Sequence, residues 1–172
     1  MSQEREPQGM VFDVGMPRRG WRGIRSGAGF TLLDSMMAVA VMGVLVAIAI
    51  PSYSRYKARA DISAAIADIT RIHMAIERYS SDKGKPPPDL ATIRMDGLLD
   101  PWGNAYVYLS FEGLHGVGQM RKDKNLVPIN SEYDLYSMGP DGASVGPLTA
   151  RASRDDIVMA NDGKFIGVAA DY

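Results

Sequence analysis

The stretch GAGFTLLDSMMAVAVMGVLVAIAIP, residues 27–51, limits what this chain can become more than any other part of it. From Phe30 to Ile50 the single charged residue is Asp34, and Met36 to Ile50 is apolar without interruption. About 20 apolar residues span a bilayer as a helix, so residues 30–51 are read as a transmembrane helix segment closed by Pro51. Gly43 and the alanines at 38, 40, 47 and 49 are small enough to let neighbouring helices approach closely. Residues 1–29 carry five Arg against three acids, a basic front end of the kind retained on the cytoplasmic side. The basic and small residues precede the apolar run and Pro51 closes it, so it reads as an anchor rather than a removed secretory signal.

Residues 1–29 themselves, with Pro7, Pro17 and six glycines, show no apolar period and read as a leader. Met10 and Met16 offer alternative starts. Over all 172 residues the formal charge is −1, which lacks the basic excess of a general nucleic-acid binder. Cysteine is absent, so disulfides and cysteine-ligated metal centres are excluded.

Beyond Pro51 a helical period continues. Ile62, Ile66, Ile69, Ile72, Ile76 and Tyr79 recur at steps of three and four, with Asp61, Asp68, Arg71 and Arg78 largely on other faces. Residues 52–84 are therefore expected to extend the helix as an amphipathic half, with a bend allowed at Pro51. Gly84 and Pro86-Pro87-Pro88 end it. Residues 85–172 are turn-rich and β-like. NAYVYLS (104–110) and YDLYSMG (133–139) are expected strands, and IVMANDGKFIGV (157–168) is an expected hairpin about Asn161-Asp162-Gly163. Residues 112–130 are polar and glycine-bearing, hence an expected surface loop. The fold class is α+β: a long N-terminal helix, half transmembrane and half amphipathic, packed on a small antiparallel β-sheet whose outer face is open.

GFTLLD…IAIPSY, DPWGNAYVY (100–108) and YDLYSMGPDG (133–142) followed by DDI (155–157) together give the chain a resemblance. It resembles the type IV pilin superfamily, and within it the major pseudopilin family of type II secretion. The resemblance implies a pilin-like fold in a structural filament subunit with no catalytic residues. It implies cleavage between Gly29 and Phe30 by a prepilin peptidase, then N-methylation of Phe30. It further implies a single-pass inner-membrane protein whose C-terminal part, residues 85–172, lies in the periplasm. Partners implied are further copies in a homopolymer, other pseudopilins, the inner-membrane secretion platform and membrane lipid. A minor or type IV pilin for adhesion, motility or DNA uptake is the alternative. A DNA-uptake version should expose basic residues such as Arg121, Lys122 and Lys124, a group otherwise read as part of a solvated loop.

Differences from the family pattern are an Asp at position 34 where Glu is usual, an insertion at 112–132, and a tail beyond Ile157. Asp34 near a helix start is tolerated through the helix dipole, worth roughly 0.3–1 kcal/mol. As an assembly residue, with Pro51 beside the apolar run, it would instead meet the new α-amine of a neighbouring subunit. By spacing alone, Asp141 in GPDG is turn chemistry and Asp155 and Asp156 are loop acids, with no EF-hand pattern. The resemblance implies a calcium ion there, held by the carboxylates of Asp141 and Asp155 or Asp156 and the carbonyls of Met138 and Ala143. Trp102 and Tyr106 are read as core packing, and His73 and His115 as histidines without a partner cluster.

Overall fold

The computed structural model describes residues 29–172; the leader reading for residues 1–28 lies outside the described residues. Two compact parts are distinguished, one ending at Gly43 and the other running Val44–Tyr172. A single helix, α1 (Leu32–Lys83), contributes to both and continues through Pro51. Its side chains up to Ala60 are exposed, an arrangement that apolar residues tolerate in lipid or against other helices. The helix is long and apolar enough to cross a membrane, with a mean hydropathy of 2.3 over its most apolar window. It ends where Gly84, at φ +74°, turns the chain and donates its N–H to the Ser80 carbonyl at 2.7 Å.

Within Val44–Tyr172, four strands form an antiparallel meander: β1 (Val107–Ser110), β2 (Tyr133–Ser137), β3 (Ile157–Ala160) and β4 (Phe165–Val168), in that spatial order. Val107 faces Tyr136 across β1–β2, Tyr136 faces Val158 across β2–β3, and Ile157 faces Val168 across β3–β4. Alternation along each strand sorts the side chains to two faces. Tyr133, Leu135, Ile157 and Met159 meet the helix stripe Ala65, Ile69, Ile72 and Ile76 in one core. Three polar contacts tie the helix and the segment after it to the sheet and the residue before β1. Tyr106 donates to Asp68 Oδ2 at 3.2 Å, the Tyr133 hydroxyl lies 2.6 Å from His73 Nδ1, and Tyr108 donates to the Pro87 carbonyl at 2.6 Å.

Two expectations are corrected here. The first expected strand begins only at Val107, because the Asp100 carboxylate captures the Trp102 and Asn104 N–H groups (3.0 and 2.8 Å) and holds residues 100–104 in a turn. The outer face of the sheet is not open. Val158 and Ala160 pack with Ile129, Leu148 and Ala169 in a second core, so β3 is buried on both faces. Ile129 belongs to the segment expected to be a surface loop, and it is buried at 3 % exposure. The insertion supplies a lid of chain over β2 and β3.

The hairpin expected at 161–163 is present. Asn161, Asp162 and Gly163 all have positive φ (52°, 54° and 82°), the geometry that Asn, Asp and Gly tolerate best.

Desolvation raises the Tyr108 phenol from 10.0 to about 12, and burial holds those of Tyr106 and Tyr133 higher still. These phenols ionise more readily in the unfolded chain, so their contribution is intact below the unfolded value of 10.0 and is lost as pH rises through about 12. Tyrosinate absorbance from these three residues should therefore appear together with loss of the circular-dichroism signal. Titration of all eight tyrosines near their ordinary value with the signal intact would count against this core.

Candidate functional site: the helix start and the buried ionic cluster

Gly29 and Phe30 stand just ahead of α1, outside regular secondary structure and exposed. The first helical turn is built by a residue that the sequence reading passed over. Asp34 Oδ2 accepts from the Thr31 N–H at 2.9 Å and from the Thr31 hydroxyl at 2.8 Å, and the Asp34 N–H returns a bond to Thr31 Oγ1 at 3.2 Å. This is a reciprocal cap that satisfies donors left over at a helix start. The T-x-x-D spacing announced it. Asp34 therefore has a local task, and its Oδ1 carries no hydrogen bond among the described residues.

The two later motifs of the resemblance interlock. Asp100, buried at 5 % exposure, accepts from the Ser137 hydroxyl at 2.6 Å, and that hydroxyl oxygen accepts the Gly139 N–H at 3.0 Å. The Asn104 amide donates to the Gly139 carbonyl at 3.3 Å. DPWGN thus forms a tight knot beneath the loop that leaves β2. Gly139 itself has φ +65°, and a Cβ there would lie 2.4 Å from the Asp155 carbonyl oxygen. Residues 138–144 and 155–156 are brought together.

Their carboxylates are not pooled. Asp141 is exposed and its Oδ1 accepts the Ala143 N–H at 2.8 Å, an Asx turn closed on itself. Met138 precedes that turn and Ala143 closes it. Asp155 is partly buried beside Gly139. Asp156 is fully buried, and its Oδ2 lies 2.5 Å from Arg121 Nη2 and accepts the Ser144 hydroxyl at 2.5 Å. Burial, the largest influence, pushes the Asp156 carboxyl upward; the Ser144 hydroxyl and the guanidinium oppose it. Among the described residues no group of three or more His, Cys, Asp or Glu is placed to hold a metal ion. Of the carboxylates the resemblance implied for calcium, the one deeply buried, Asp156, faces a guanidinium.

Arg121 departs from its expected place in a solvated loop. It is 4 % exposed, stacks at 4.2 Å over the Tyr136 ring and passes its own N–H to Asp134 Oδ2 at 2.6 Å. It is neither a solvated loop residue nor part of an exposed basic group for DNA. Asp134, also buried, has its carboxyl raised by desolvation, against hydrogen bonds from the Arg121 backbone and Asn130. The sequence signal available was Asp134, the acid inside YDLYS, which a buried strand would not carry unpartnered. No local signal marked Arg121. His73 also has partners after all, Tyr133 at 2.6 Å and Glu77 at 3.9 Å.

An apolar N-terminal helix with one capped acid at its start, whose later residues pack on a small antiparallel meander, defines a pilin-like subunit. Comparison with known proteins places it further. The chain is 30 % identical over 135 residues to type II secretion system core protein G of Escherichia coli K12, covering 66 % of this chain and 82 % of that protein. It is 30 % identical over 145 residues to that of Pseudomonas aeruginosa, covering 71 % and 89 %, and 28 % identical over 146 residues to that of Vibrio cholerae, covering 73 % and 89 %. No family model matches the chain. No solved structure matches it either. The chain belongs to the family of type II secretion system core protein G, the pseudopilins.

Substituting Gly139 tests whether the two loop segments must touch. Gly139→Ala combines a left-handed backbone with a backbone clash and should cost at least about 2 kcal/mol in denaturant unfolding of the detergent-solubilised chain. Unchanged stability would mean that the 138–144 turn is not seated against Asp155.

Proposed function

We propose that this chain is a structural subunit of a type II secretion pseudopilus, made as a precursor and polymerised through its N-terminal helix. The observation that carries the reading is Asp34: a single acid, capped by Thr31, at the head of an exposed apolar helix, four residues from Phe30. In this reading a prepilin peptidase cuts between Gly29 and Phe30, and Phe30 is then N-methylated. The new α-amine has a reference pKa of about 8 and is largely cationic at neutral pH. In lipid a lone charge is poorly solvated, so the amine of one subunit and Asp34 of the next stabilise each other more than they would in water. Oδ2 keeps the helix cap, and Oδ1 remains to accept the neighbour's amine.

Assembly then places further copies, and other pseudopilins, side by side on an inner-membrane platform, with residues 85–172 on the periplasmic side. The small residues Ala38, Ala40, Gly43, Ala47 and Ala49 admit close helix contacts, and Pro51 leaves the Ala47 carbonyl without its helical donor. Adding subunits at the base supplies movement; the chain itself contributes structure and no reaction. The names of its relatives support this role.

Two measurements test it. The N-terminal peptide from the host's membranes should begin at Phe30 with a methyl group on its amine; a chain that retains residues 16–29 would overturn the processing step. Asp34→Ala should insert normally, lose a helix cap worth about 0.5–2 kcal/mol, and assemble poorly. Thr31→Val, which weakens the cap but keeps the carboxylate, should still assemble. Undiminished filaments from Asp34→Ala would defeat the pairing.

A further inference from the structure

The family resemblance assigns the junction of residues 138–144 and 155–156 to a calcium ion, yet the structure already holds a cation there. The Arg121 guanidinium lies against Asp156 Oδ2 at 2.5 Å through Nη2, while Nη1 donates to the Ser144 hydroxyl and to the Val145 carbonyl at 2.9 Å. One planar group therefore ties the 112–132 insertion, the loop after β2 and the start of β3 together. Ser153 brackets the same loop, accepting the Val145 N–H at 2.9 Å and donating to the Val145 carbonyl at 2.8 Å.

Two buried atoms of this cluster lack partners, Arg121 Nε and Asp156 Oδ1. Nε–H shares a guanidinium edge with Nη2, and the orphans are a donor and an acceptor, which is the complement of a bidentate fork. A divalent ion placed on Asp156 would meet a buried positive charge at contact distance, with no water to screen the repulsion. Asp141 is meanwhile turned onto its own Ala143 N–H.

We propose that Arg121, carried by the insertion, occupies the place of the calcium ion and makes the 138–156 loop independent of calcium. A cationic side chain supplied by the chain itself cannot be removed by a chelator, and it holds its loop at any calcium concentration. The inference does not rest on cleavage or polymerisation, so its failure and the failure of the filament reading are separate outcomes.

The test is thermal unfolding of the full-length chain in detergent micelles, with EDTA or with millimolar calcium chloride. The wild type should melt within about 1 °C under both conditions, since a ligand shifts Tm only by binding the folded state preferentially. Arg121→Gln leaves Asp156 as an uncompensated buried charge and should lower Tm by about 10 °C. The double variant Arg121→Gln with Asp156→Asn removes both charges and should recover most of that loss. If Arg121→Gln does not fold, the double variant and the wild-type comparison still decide. A wild-type Tm that rises by several degrees with calcium, and stops doing so in Asp141→Asn, would overturn the proposal. So would an Arg121→Gln chain that melts with the wild type.

Discussion

The part of the molecule from Val44 onward rests on one contact: the row Ala65, Ile69, Ile72 and Ile76 of α1 against Tyr133, Leu135, Ile157 and Met159 of the sheet. Four short strands of four or five residues could not stand alone, because a small meander needs an apolar face covered before its ladder is stable in water. Each fully buried isoleucine contributes roughly 1.5–3 kcal/mol relative to exposure. The row has no preferred direction by itself. Direction comes from its edges, where Tyr106 reaches Asp68 and Tyr133 reaches His73, since hydrogen bonds fix a register that apolar contact leaves free.

A second layer follows from the same sheet. Once β2 and β3 are central, their far face also needs cover, and β3 puts Val158 and Ala160 there. The insertion provides Ile129 for that face. It also delivers Arg121 and Asn130, whose amide nitrogen reaches Asp134 Oδ1 at 3.2 Å and the Met159 carbonyl at 3.0 Å. The hairpin is sewn to it in turn, through the Asp162 N–H to Asn130 Oδ1 at 3.1 Å and the Ser131 N–H to Asp162 Oδ1 at 2.7 Å. The 112–132 segment and the tail beyond Ile157 are thus halves of one structure. A buried ion pair of this kind is weak as a source of net stability but costly to break on one side. It works as a specifier of where the loop sits.

Much of this was legible in the residues, and the reasons it was legible are local. The apolar run, the isoleucine period ending at Gly84 and the Asn-Asp-Gly hairpin each depend on neighbours within one or two turns of chain. Thr31 was legible as well: T-x-x-D is a local signature, and it accounts for Asp34 without any neighbour. The site residues of the loop were a different case. Asp141, Asp155 and Asp156 have the same chemistry on the page of the sequence, and nothing local distinguishes an acid in a self-closed turn from one buried against a guanidinium.

The sequence by itself determined the membrane-length helix, its amphipathic continuation, the strand-bearing remainder and the acid at the helix head, because hydrophobic period and capping act over a few residues. Only the tertiary structure decided which carboxylates are free and which are spoken for. Arg121 lies 35 residues from Asp156, and a pairing across that distance depends on how the chain folds over β2 and β3. Burial then made the choice consequential: in water each charge would have been solvated separately, whereas beneath the insertion each required the other.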